Sequence, residues 1–543
     1  MFKFLLTLGI SLCLSSCFQT TDLPRPQPLA QDPTVEVYFN QNFAKGSDYQ
    51  DPYRNIKRPG DNLEQILIDT INQADSSIDI AVQEFRLPKL AQALAKRRQE
   101  GLKIRVILEN TYNRPFSQLT LTEIQNFSER EGDRYDDFFA LADTNKDEKL
   151  TPEEIYQSDA LVILNQAGIP IIDDTADGSK GSGLMHHKFV VIDGKTVIIT
   201  SANFTLSDVH GDFLYSDSRG NANHLLKVKN PQLAQAFTEE FNLMWGDGPG
   251  GKLDSLFGVN KPARKPVSIQ LKDTKITLKF SPNSSVYPWE TSSNGLINQT
   301  LDQAHSSVDL ALFVFSEQRL ANTLEKRHQN GATVRALIDP GFAFMTYSEG
   351  LDMLGVALSQ KCQYEADNHP WQSPITTVGI PDLFSTDKLH HKFGIIDQNI
   401  VITGSHNWSS SANNQNDETL IILESPIVAA HFQQEFERLY QKASLGIPTY
   451  IAQKIEQDRQ TCSQFTTPVS QVAERQLINL NTATLAELET LPGIGPSLAQ
   501  KIIKTREEKP FTSVQDLERV AGIGENKLKK LQDKVFVYNK LKK

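Results

Sequence analysis

The chain has 543 residues, of which 39% are hydrophobic and 22% charged, and its formal net charge at pH 7 is -11. This length is too great for one hydrophobic core, so two to four domains are expected. The composition is that of a globular protein, and the acidic balance argues against a protein dominated by nucleic-acid binding.

The N-terminus combines a short apolar run with a cysteine. The run from Phe4 to Leu14 spans about eleven residues, which is too short for a bilayer and fits a secretory signal. It is followed by Ser-Ser-Cys17, which resembles a bacterial lipobox; a plain signal peptide with a coincidental cysteine is the alternative. The resemblance implies an exported protein whose acylated Cys17 holds it at a membrane surface. Residues 1–17 are interpreted as a lipoprotein signal and residues 18–33 as a linker.

An internal repeat begins inside the folded part of the chain, which is expected to start near residue 34. Residues 76–108 align without gaps to residues 306–338. Each copy has an apolar strand, a helix with apolar residues at helical spacing and a second β-branched strand. This β-α-β pattern predicts an α/β fold with helices on the faces of the sheets.

The first copy carries an insertion with an acidic segment at about 135–160. The segment resembles an EF-hand calcium loop, and a Phe-rich helical segment precedes it. Glu148 stands where such a loop normally has glycine, so the turn is expected to be strained. A structural or regulatory Ca²⁺ is predicted, and a solvated acidic loop is the alternative. The predicted ligands are Asp143, Asn145, Asp147, Lys149, Thr151 and Glu154.

One polar motif occurs twice in the chain. It consists of His-His-Lys, four further residues and Asp, and a Ser-x-Asn group follows each copy. Side chains two apart on a strand share a face, so the first His and the Lys of each copy are expected to converge on one ligand. The Asp has the opposite parity, which favours a role in holding the strand or its turn. The residues are His186, Lys188, Asp193, Ser201 and Asn203 in the first copy, and His390, Lys392, Asp397, Ser405 and Asn407 in the second.

These residues resemble the signature of the phospholipase D superfamily, and the repeat extends the resemblance from about residue 34 to 446. The resemblance implies two α/β sandwich domains related by a pseudo-twofold axis, at 34–255 and 268–446. Both His-Lys pairs then face one phosphodiester in a monomer, without a cofactor for catalysis. The resemblance implies catalytic roles for His186, Lys188, Asp193, His390, Lys392 and Asp397, and phosphate contacts from Ser201, Asn203, Ser405 and Asn407.

The resemblance also implies that one histidine attacks phosphorus while the other protonates the leaving oxygen. Glu418 stands where the family often has a Glu that orients a catalytic histidine, and His224 is taken as its counterpart in the first copy. A carboxylate beside His390 would make it the acid and leave His186 as the nucleophile. This assignment is a hypothesis, and the choice of nucleophile stays open.

A basic tail follows a predicted linker at 447–475. It contains two Gly-Ile-Gly turns, each between helical segments, with lysines nearby that suit a phosphate backbone. Residues 476–543 resemble the paired helix-hairpin-helix domain of competence-type DNA receptors, an all-α module; a docking module without nucleic acid is the alternative. The predicted DNA-binding residues are Gly493, Gly495, Lys501, Gly522, Gly524 and Lys527.

The sequence as a whole predicts an exported phosphodiesterase on the periplasmic or extracellular face of a membrane. The tail favours DNA as substrate and partner. A phospholipase D acting on phospholipid head groups and a non-catalytic DNA-binding lipoprotein are the alternatives, and hydrolysis or transfer to an alcohol stays open. Cys362 and Cys462 could form a disulfide in an oxidising compartment, but the sequence does not show that they are close.

Overall fold

The computed structural model describes residues 25–179, 182–462, 478–483, 485–489, 491–492, 494–531 and 534–537. The predicted signal with Cys17, and Gly493 of the tail, lie outside these residues. Among the helices described, none is both long and apolar enough to span a bilayer.

The described residues of the first half form nine strands and eight α-helices. The strands are β1 (Val35–Phe39), β2 (Asp48–Gln50), β3 (Lys57–Pro59), β4 (Ser77–Val82), β5 (Lys103–Leu108), β6 (Ile171–Asp173), β7 (Lys188–Ile192), β8 (Thr196–Thr200) and β9 (His224–Lys229). The helices are α1 (Leu63–Asn72), α2 (Pro88–Gln99), α3 (Leu121–Gln125), α4 (Glu129–Ala142), α5 (Pro152–Ser158), α6 (Ala160–Gln166), α7 (Leu206–Val209) and α8 (Pro231–Trp245).

The predicted β-α-β unit is β4-α2-β5, and its two strands pair in parallel. Helix α2 begins with Pro88, whose fixed φ suits a first turn, and it ends just before Gly101, which has a positive φ of 97°. Its apolar side buries Leu90 and Leu94 against the sheet. The complete sheet has seven strands in the order β1-β9-β8-β7-β4-β5-β6.

The second half repeats this plan. Its strands are β10 (Val267–Gln270), β11 (Lys275–Phe280), β12 (Ser307–Leu312), β13 (Phe315–Ser316), β14 (Thr333–Ile338), β15 (Val378–Ile380), β16 (Lys392–Ile396), β17 (Ile400–Gly404), β18 (Trp408–Ser409), β19 (Thr419–Glu424) and β20 (Ser444–Leu445). The helices are α9 (Ser293–Leu301), α10 (Gln318–Gln329), α11 (Glu349–Met353), α12 (Ser410–Asn414), α13 (Pro426–Tyr440) and α14 (Thr449–Cys462).

The second sheet has the order β10-β11-β19-β17-β16-β12-β14-β15-β20. Its seven inner strands match the seven strands of the first sheet in order, so the predicted α/β class and the two related halves are confirmed. A single apolar core joins the halves, with Phe189 and Phe237 from the first and Phe393 and Phe432 from the second. Since β7 and β16 contribute to this core, the strands that carry the two motifs lie at the interface between the halves.

Two segments predicted as linkers are packed instead. In residues 18–33, the Arg25 guanidinium pairs with the Asp48 carboxylate at 2.9 Å. In residues 447–475, α14 buries Ile451 in the core of the second half. These parts of both predicted linkers therefore contact the folded halves, because apolar and charged side chains spaced along them find partners there.

A disulfide between Cys362 and Cys462 fixes the end of α14 to the second half. Their Cα atoms are 5.3 Å apart, and the bond joins positions 100 residues apart in sequence. Nearby, the Asp458 carboxylate accepts hydrogen bonds from the Ser359 N–H and hydroxyl, both at 3.0 Å. The bond answers the question that the sequence left open about these two cysteines.

The tail is a small, mainly helical module, as predicted. It contains α15 (Leu485–Glu489), α16 (Pro496–Glu508), a 3-10 turn (Val514–Arg519) and α17 (Glu525–Leu531), with β21 (Ile478–Asn479) pairing in parallel with β22 (Val535–Phe536). Its own apolar core includes Leu488, Ile502, Phe511 and Leu517.

Candidate active site

The two motifs begin at equivalent places, and each is hydrogen-bonded to the opposite half. The His186 N–H donates to the Asp417 carbonyl at 3.0 Å, and the His390 N–H donates to the Ala222 carbonyl at 3.1 Å. The residues before the two histidines form bridges in the same reciprocal way, Met185 with Asp417 and Leu389 with Ala222. Each half therefore helps to position the histidine of the other half.

The first His and the Lys of each motif lie on one face, as strand parity predicted. The Lys188 ammonium donates to the His186 carbonyl at 3.0 Å, and the Lys392 ammonium donates to the His390 carbonyl at 2.7 Å. Both lysines are 1% exposed, so neither is an ordinary solvated cation. Lys188 also donates to Gln83 Oε1 at 3.3 Å.

The charges of this site are arranged for an anion. Burial lowers the pKa of Lys188 to about 8, and burial followed by the nearby Lys188 lowers that of Lys392 well below its ordinary value. Burial and both lysines also hold the pKa of His186 and of His390 well below the usual range, so the two imidazoles are neutral near pH 7. Mutual repulsion among buried cations disappears when a phosphate binds between them, which favours anion binding.

Glu418 lies beside His186, which corrects the prediction that it lies beside His390. Its Oε2 is 2.7 Å from His186 Nδ1. The corresponding contact of His390 Nδ1 is to Asn223 Oδ1 at 3.0 Å. Each half therefore supplies the hydrogen-bond partner for the histidine of the other half, which is the opposite of the pairing expected from the sequence.

The counterpart of Glu418 is Asn223, and the prediction of His224 was off by one residue. Strand β9 begins at His224 and β19 begins at Thr419, so those two residues are equivalent. His224 faces the back of the site, where its Nδ1 is 3.2 Å from His391 Nδ1. A one-residue shift on a strand turns a side chain to the opposite face, which explains the different surroundings.

The two serines hydrogen-bond to these partners, and their predicted contact with phosphate stays a prediction. The Ser405 hydroxyl donates to Glu418 Oε2, and the Ser201 hydroxyl donates to Asn223 Oδ1, both at 2.7 Å. Both serines are fully buried, so their hydroxyl hydrogens are committed. Asn203 and Asn407 stay candidates for phosphate contact, and the Oδ1 atom of each is buried without a hydrogen bond in the described part of the chain.

Asp193 and Asp397 hold turns away from the catalytic groups. The Asp193 carboxylate accepts hydrogen bonds from the N–H groups of residues 75–77 and from the Ser76 hydroxyl, at 2.7 to 2.9 Å. Asp397 does the same with residues 305–307. The structural role inferred from parity agrees with this geometry, and the catalytic role implied by the family signature does not.

Sequence reasoning missed Asp208, whose Oδ1 lies 3.7 Å from His390 Nδ1. Its other oxygen accepts a hydrogen bond from the Asn203 N–H at 2.8 Å, so Asp208 links the backbone at Asn203 to His390. Asp208 belongs to α7, and the repeat places Ala412 at the equivalent position in α12. No signal in the duplicated motif could have identified it, because it occurs in one copy only.

The EF-hand-like loop adopts the turn without glycine. Glu148 has a φ of 62°, the left-handed conformation that glycine usually supplies. The loop's carboxylates are used internally: Asp143 accepts the N–H groups of Asp147 and Glu148, and hydrogen bonds from Thr151 and Thr144 lower the pKa of Glu154 to about 2. Over the residues that the structure describes, no group of three or more His, Cys, Asp or Glu is placed to hold a metal.

In the tail, five of the six predicted DNA-binding residues belong to the described part of the chain, and they lie around the hairpin turns. Gly495 precedes the first residue of α16, and Gly522 has a φ of 109° in the second turn. The Lys501 ammonium donates to the Ala521 carbonyl at 3.4 Å, and that of Lys527 donates to the Gly522 carbonyl at 3.1 Å. Two cations are thereby held close to the second turn, which Gly524 completes before α17.

Two family models match the chain. The model described as "Cardiolipin synthase, PLD-like domain" covers residues 67–245 and 297–440, and a helix-hairpin-helix motif covers residues 473–536. Both parts of the first match contain one complete copy of the polar motif. The family matches therefore cover both halves of the candidate site and the tail.

Individual proteins resemble parts of the chain. Mitochondrial cardiolipin hydrolase of Mus musculus is 31% identical over 169 residues, which cover 31% of this chain and 66% of that protein. ComE operon protein 1 of Bacillus subtilis (strain 168) is 45% identical over 62 residues, or 11% of this chain and 30% of that protein. Among solved structures, phosphatidylserine synthase of Haemophilus influenzae Rd KW20 has 10% identity and a TM-score of 0.47, over 80% of this chain and 94% of that one. The chain spans 66% of the length of the Mus musculus relative, 58% of that of the Canis lupus familiaris protein and 47% of that of the Homo sapiens protein, which carry the same name.

Proposed function

Because this chain belongs to the phospholipase D superfamily, we propose that it is a phosphodiesterase that hydrolyses DNA outside the cytoplasm through a phosphohistidine intermediate. The observation that carries the proposal is the meeting of two buried His-Lys pairs, one from each half, in one site. Two neutral imidazoles and two cations are the groups that a metal-independent attack on a phosphodiester requires.

His186 is the nucleophile in this proposal, but for a different reason from the one drawn from the sequence, because the Glu418 carboxylate lies beside His186 and not beside His390. In this role, the His186 Nδ1–H group donates a hydrogen bond to the Glu418 carboxylate, and the lone pair on Nε2 is free to attack phosphorus. Burial raises the pKa of Glu418 and lowers that of His186, so the pair is poised to share one proton. When the Nε2–P bond forms, the ring becomes cationic and the Glu418 carboxylate stabilises it.

His390 is the acid and then the base. The incoming phosphodiester carries a negative charge, which raises the pKa of His390 and allows it to hold a proton for the leaving oxygen. In the second half of the reaction, neutral His390 takes a proton from water, the water oxygen bonds to phosphorus and the P–N bond breaks. Lys188, Lys392 and the amides of Asn203 and Asn407 stabilise the non-bridging oxygens throughout.

The tail supports DNA as the substrate. Paired helix-hairpin-helix turns expose backbone N–H groups and carry Lys501 and Lys527, a combination that binds phosphates without regard to base sequence. Phospholipid is the second candidate substrate, because several relatives are named mitochondrial cardiolipin hydrolase and the family description names cardiolipin synthase. A non-catalytic DNA-binding lipoprotein is the least favoured reading, since both His-Lys pairs are intact.

Export and membrane attachment through an acylated Cys17 belong to the same proposal. The Cys362–Cys462 disulfide supports it, because such bonds persist mainly in oxidising compartments. Incorporation of radiolabelled palmitate into the parent chain, but not into Cys17→Ser, is the expected result. Palmitate incorporation into Cys17→Ser, or none into the parent chain, would contradict acylation at this residue.

Calcium is proposed as a structural ligand of the loop between α4 and α5. The loop has the required turn, but Asp143 and Glu154 would have to exchange hydrogen bonds with their own backbone for the ion. Isothermal titration should therefore show weak uptake of Ca²⁺ that is lost in Asp143→Ala. A parent chain that releases no heat with Ca²⁺ would end this proposal.

The decisive assay uses the full chain with plasmid DNA, single-stranded oligonucleotides and cardiolipin vesicles, with and without EDTA. His186→Ala should abolish cleavage, while His305→Ala, at an exposed histidine, should retain it. Phosphoenzyme trapped by rapid acid quench should carry its label on His186. Label on His390 would reverse the two roles, and cleavage that persists in His186→Ala would reject the mechanism.

A further inference from the structure

The two halves of the site differ at the residue that contacts each catalytic lysine. Gln83 follows β4 and accepts a hydrogen bond from Lys188 at 3.3 Å. The equivalent residue after β12 is Phe313, whose ring centroid lies 4.9 Å from the Lys392 ammonium. One side of the site therefore presents an amide and the other an aromatic ring.

Phe313 is part of an aromatic pair beside His390. Its ring meets the His390 imidazole at a centroid distance of 4.9 Å and the Phe342 ring at 4.7 Å, in edge-to-face geometry in both cases. Phe342 lies just after β14, and both phenylalanines are partly exposed. Residue 83 in the first half is not aromatic, so this pair breaks the pseudo-twofold symmetry of the site.

We infer that Phe313 and Phe342 form a stacking surface for the base of the departing nucleoside, which makes single-stranded DNA the preferred substrate. This inference rests on the proposed function. His390 delivers the proton to the leaving oxygen, so the departing nucleoside lies on the side of these rings. Stacking on aromatic side chains accepts every base, whereas a paired base must first be removed from its duplex.

The polar groups beside His390 suit a base better than an acyl chain. Asp208 Oδ1 lies 3.7 Å from His390 Nδ1 and accepts a hydrogen bond from the Asn221 side-chain amide, and the Lys388 N–H donates to Asn221 Oδ1 at 2.7 Å. An acyl chain would need an apolar surface that continues beyond two rings, while one base needs no more area than they offer. Polar neighbours can also bond to the edge of a base or to its sugar.

The test uses short oligonucleotides with a single ordinary phosphodiester among methylphosphonate linkages. A stable abasic residue is placed on the 5′ side of that linkage in one oligonucleotide and on the 3′ side in another, and product masses identify which oxygen departed. For the parent chain, kcat/KM should fall roughly 10- to 100-fold when the departing nucleoside lacks its base, since stacking is worth that much. Loss of the base on the retained side should have little effect.

Variants assign this preference to the two rings. Phe313→Leu and Phe342→Leu keep apolar volume but remove a ring, and the ratio of intact to abasic kcat/KM should approach one in each. Gln83→Leu, at the equivalent position of the other half, should leave that ratio at the parent value, whatever it does to the rate. The ratio is the readout because a general loss of activity cancels from it.

The possible outcomes distinguish a failure of the stacking surface from a failure of the proposed nuclease activity. Cleavage of all oligonucleotides with ratios near one, or equal losses on both sides, would overturn the stacking surface and leave the nuclease intact. Slower hydrolysis of cardiolipin vesicles by Phe313→Leu, without any change in the oligonucleotide ratio, would assign the rings to a lipid and also overturn it. No cleavage of any oligonucleotide by the parent chain would reject the nuclease itself.

Discussion

At the scale of single residues, the two catalytic histidines differ in the group that lies within hydrogen-bond distance of Nδ1, because the Asp208 carboxylate, at 3.7 Å, lies beyond that distance from His390 Nδ1. Glu418 is a carboxylate that can take up the positive charge of a phosphorylated His186, whereas the Asn223 amide beside His390 cannot. Glu418→Gln should therefore slow formation of the phosphoenzyme by about 10² to 10⁴-fold, the range for a lost acid-base partner. Rapid-quench measurement of the first turnover checks this.

Asn223→Ala supplies the matched control. It removes the partner of His390 and should impair the proton transfer to the leaving oxygen, so substrates with a good leaving group such as p-nitrophenol should be nearly unaffected. Glu418→Gln should be slow with both kinds of substrate. Equal sensitivity of the two variants to the leaving group would contradict the assigned roles.

Lys188 gives a prediction for the alkaline limb of the pH profile. Its pKa of about 8 means that the free enzyme loses this cation as the pH rises through that value. Since kcat/KM reports the free enzyme, it should decline above about pH 8, while kcat should decline at higher pH because bound phosphate stabilises the ammonium. In Lys188→Arg the cation persists, so the decline in kcat/KM should shift to higher pH. A decline at the same pH as in the parent chain would show that another group controls it.

Side-chain parity predicted which residues share a face, and it could do so because the period of a strand is fixed. It placed His186 with Lys188 and put Asp193 elsewhere. Parity could not predict that Glu418 would hydrogen-bond to His186 of the other half, because that contact depends on how the two halves pack. Asp208 and Phe313 were missed for a related reason: each differs from its counterpart, and a search for repeated residues passes over such positions.

At the scale of elements, the C-terminal end of each motif strand, β7 or β16, is followed by an aspartate that hydrogen-bonds to a neighbouring turn. Burial alone would raise the pKa of the Asp193 carboxyl, but hydrogen bonds from residues 75–77 hold this pKa below its ordinary value. A depressed pKa means that the contribution to stability is present above the unfolded pKa and is lost as the pH falls through the folded pKa. Asp193→Ala should destabilise the chain by about 1 to 3 kcal/mol at neutral pH.

The repeat offers a matched test of that prediction. Asp397→Ala should lower the thermal midpoint of unfolding about as much as Asp193→Ala does, because residues 305–307 donate the same set of hydrogen bonds. Both variants should keep a kcat close to that of the parent chain below the transition. A large loss of kcat with an unchanged midpoint would restore a catalytic role to these aspartates.

The elements that sequence predicted best were those with the strongest local pattern. The β4-α2-β5 unit and its repeat show apolar spacing bounded by Gly101 and its counterpart, so local signals fixed their limits. Helix α14 was missed because only Ile451 and Ile455 face the core along a mostly polar segment. Composition alone made that segment resemble a linker.

At the scale of the whole molecule, a basic tail accompanies an acidic chain, and the affinity for DNA should come from the tail. Each phosphate contact that is lost reduces the slope of log K against log salt by about 0.9 for duplex DNA. Lys501→Ala combined with Lys527→Ala should therefore reduce it by about 1.8. Fluorescence anisotropy with labelled duplex between about 50 and 200 mM salt measures the slope.

Two exposed lysines of the catalytic halves provide the control for that measurement. Lys195→Ala combined with Lys272→Ala changes the net charge by the same amount and should leave the slope unchanged. An equal reduction in both double variants would indicate that net charge, and not the hairpins, governs binding. No salt dependence at all in the parent chain would contradict DNA binding by the tail.

The Cys362–Cys462 bond holds the last residue of α14 against the second half. The bond closes a loop of 100 residues, for which chain entropy alone corresponds to about 4.7 kcal/mol, although measured values are typically 2 to 4 kcal/mol. Cys362→Ser, Cys462→Ser and the double variant each lose the same single bond. All three should therefore show the same drop in thermal midpoint, which reductant should reproduce in the parent chain. Additive losses in the double variant would show that the two cysteines act separately and that the bond does not form.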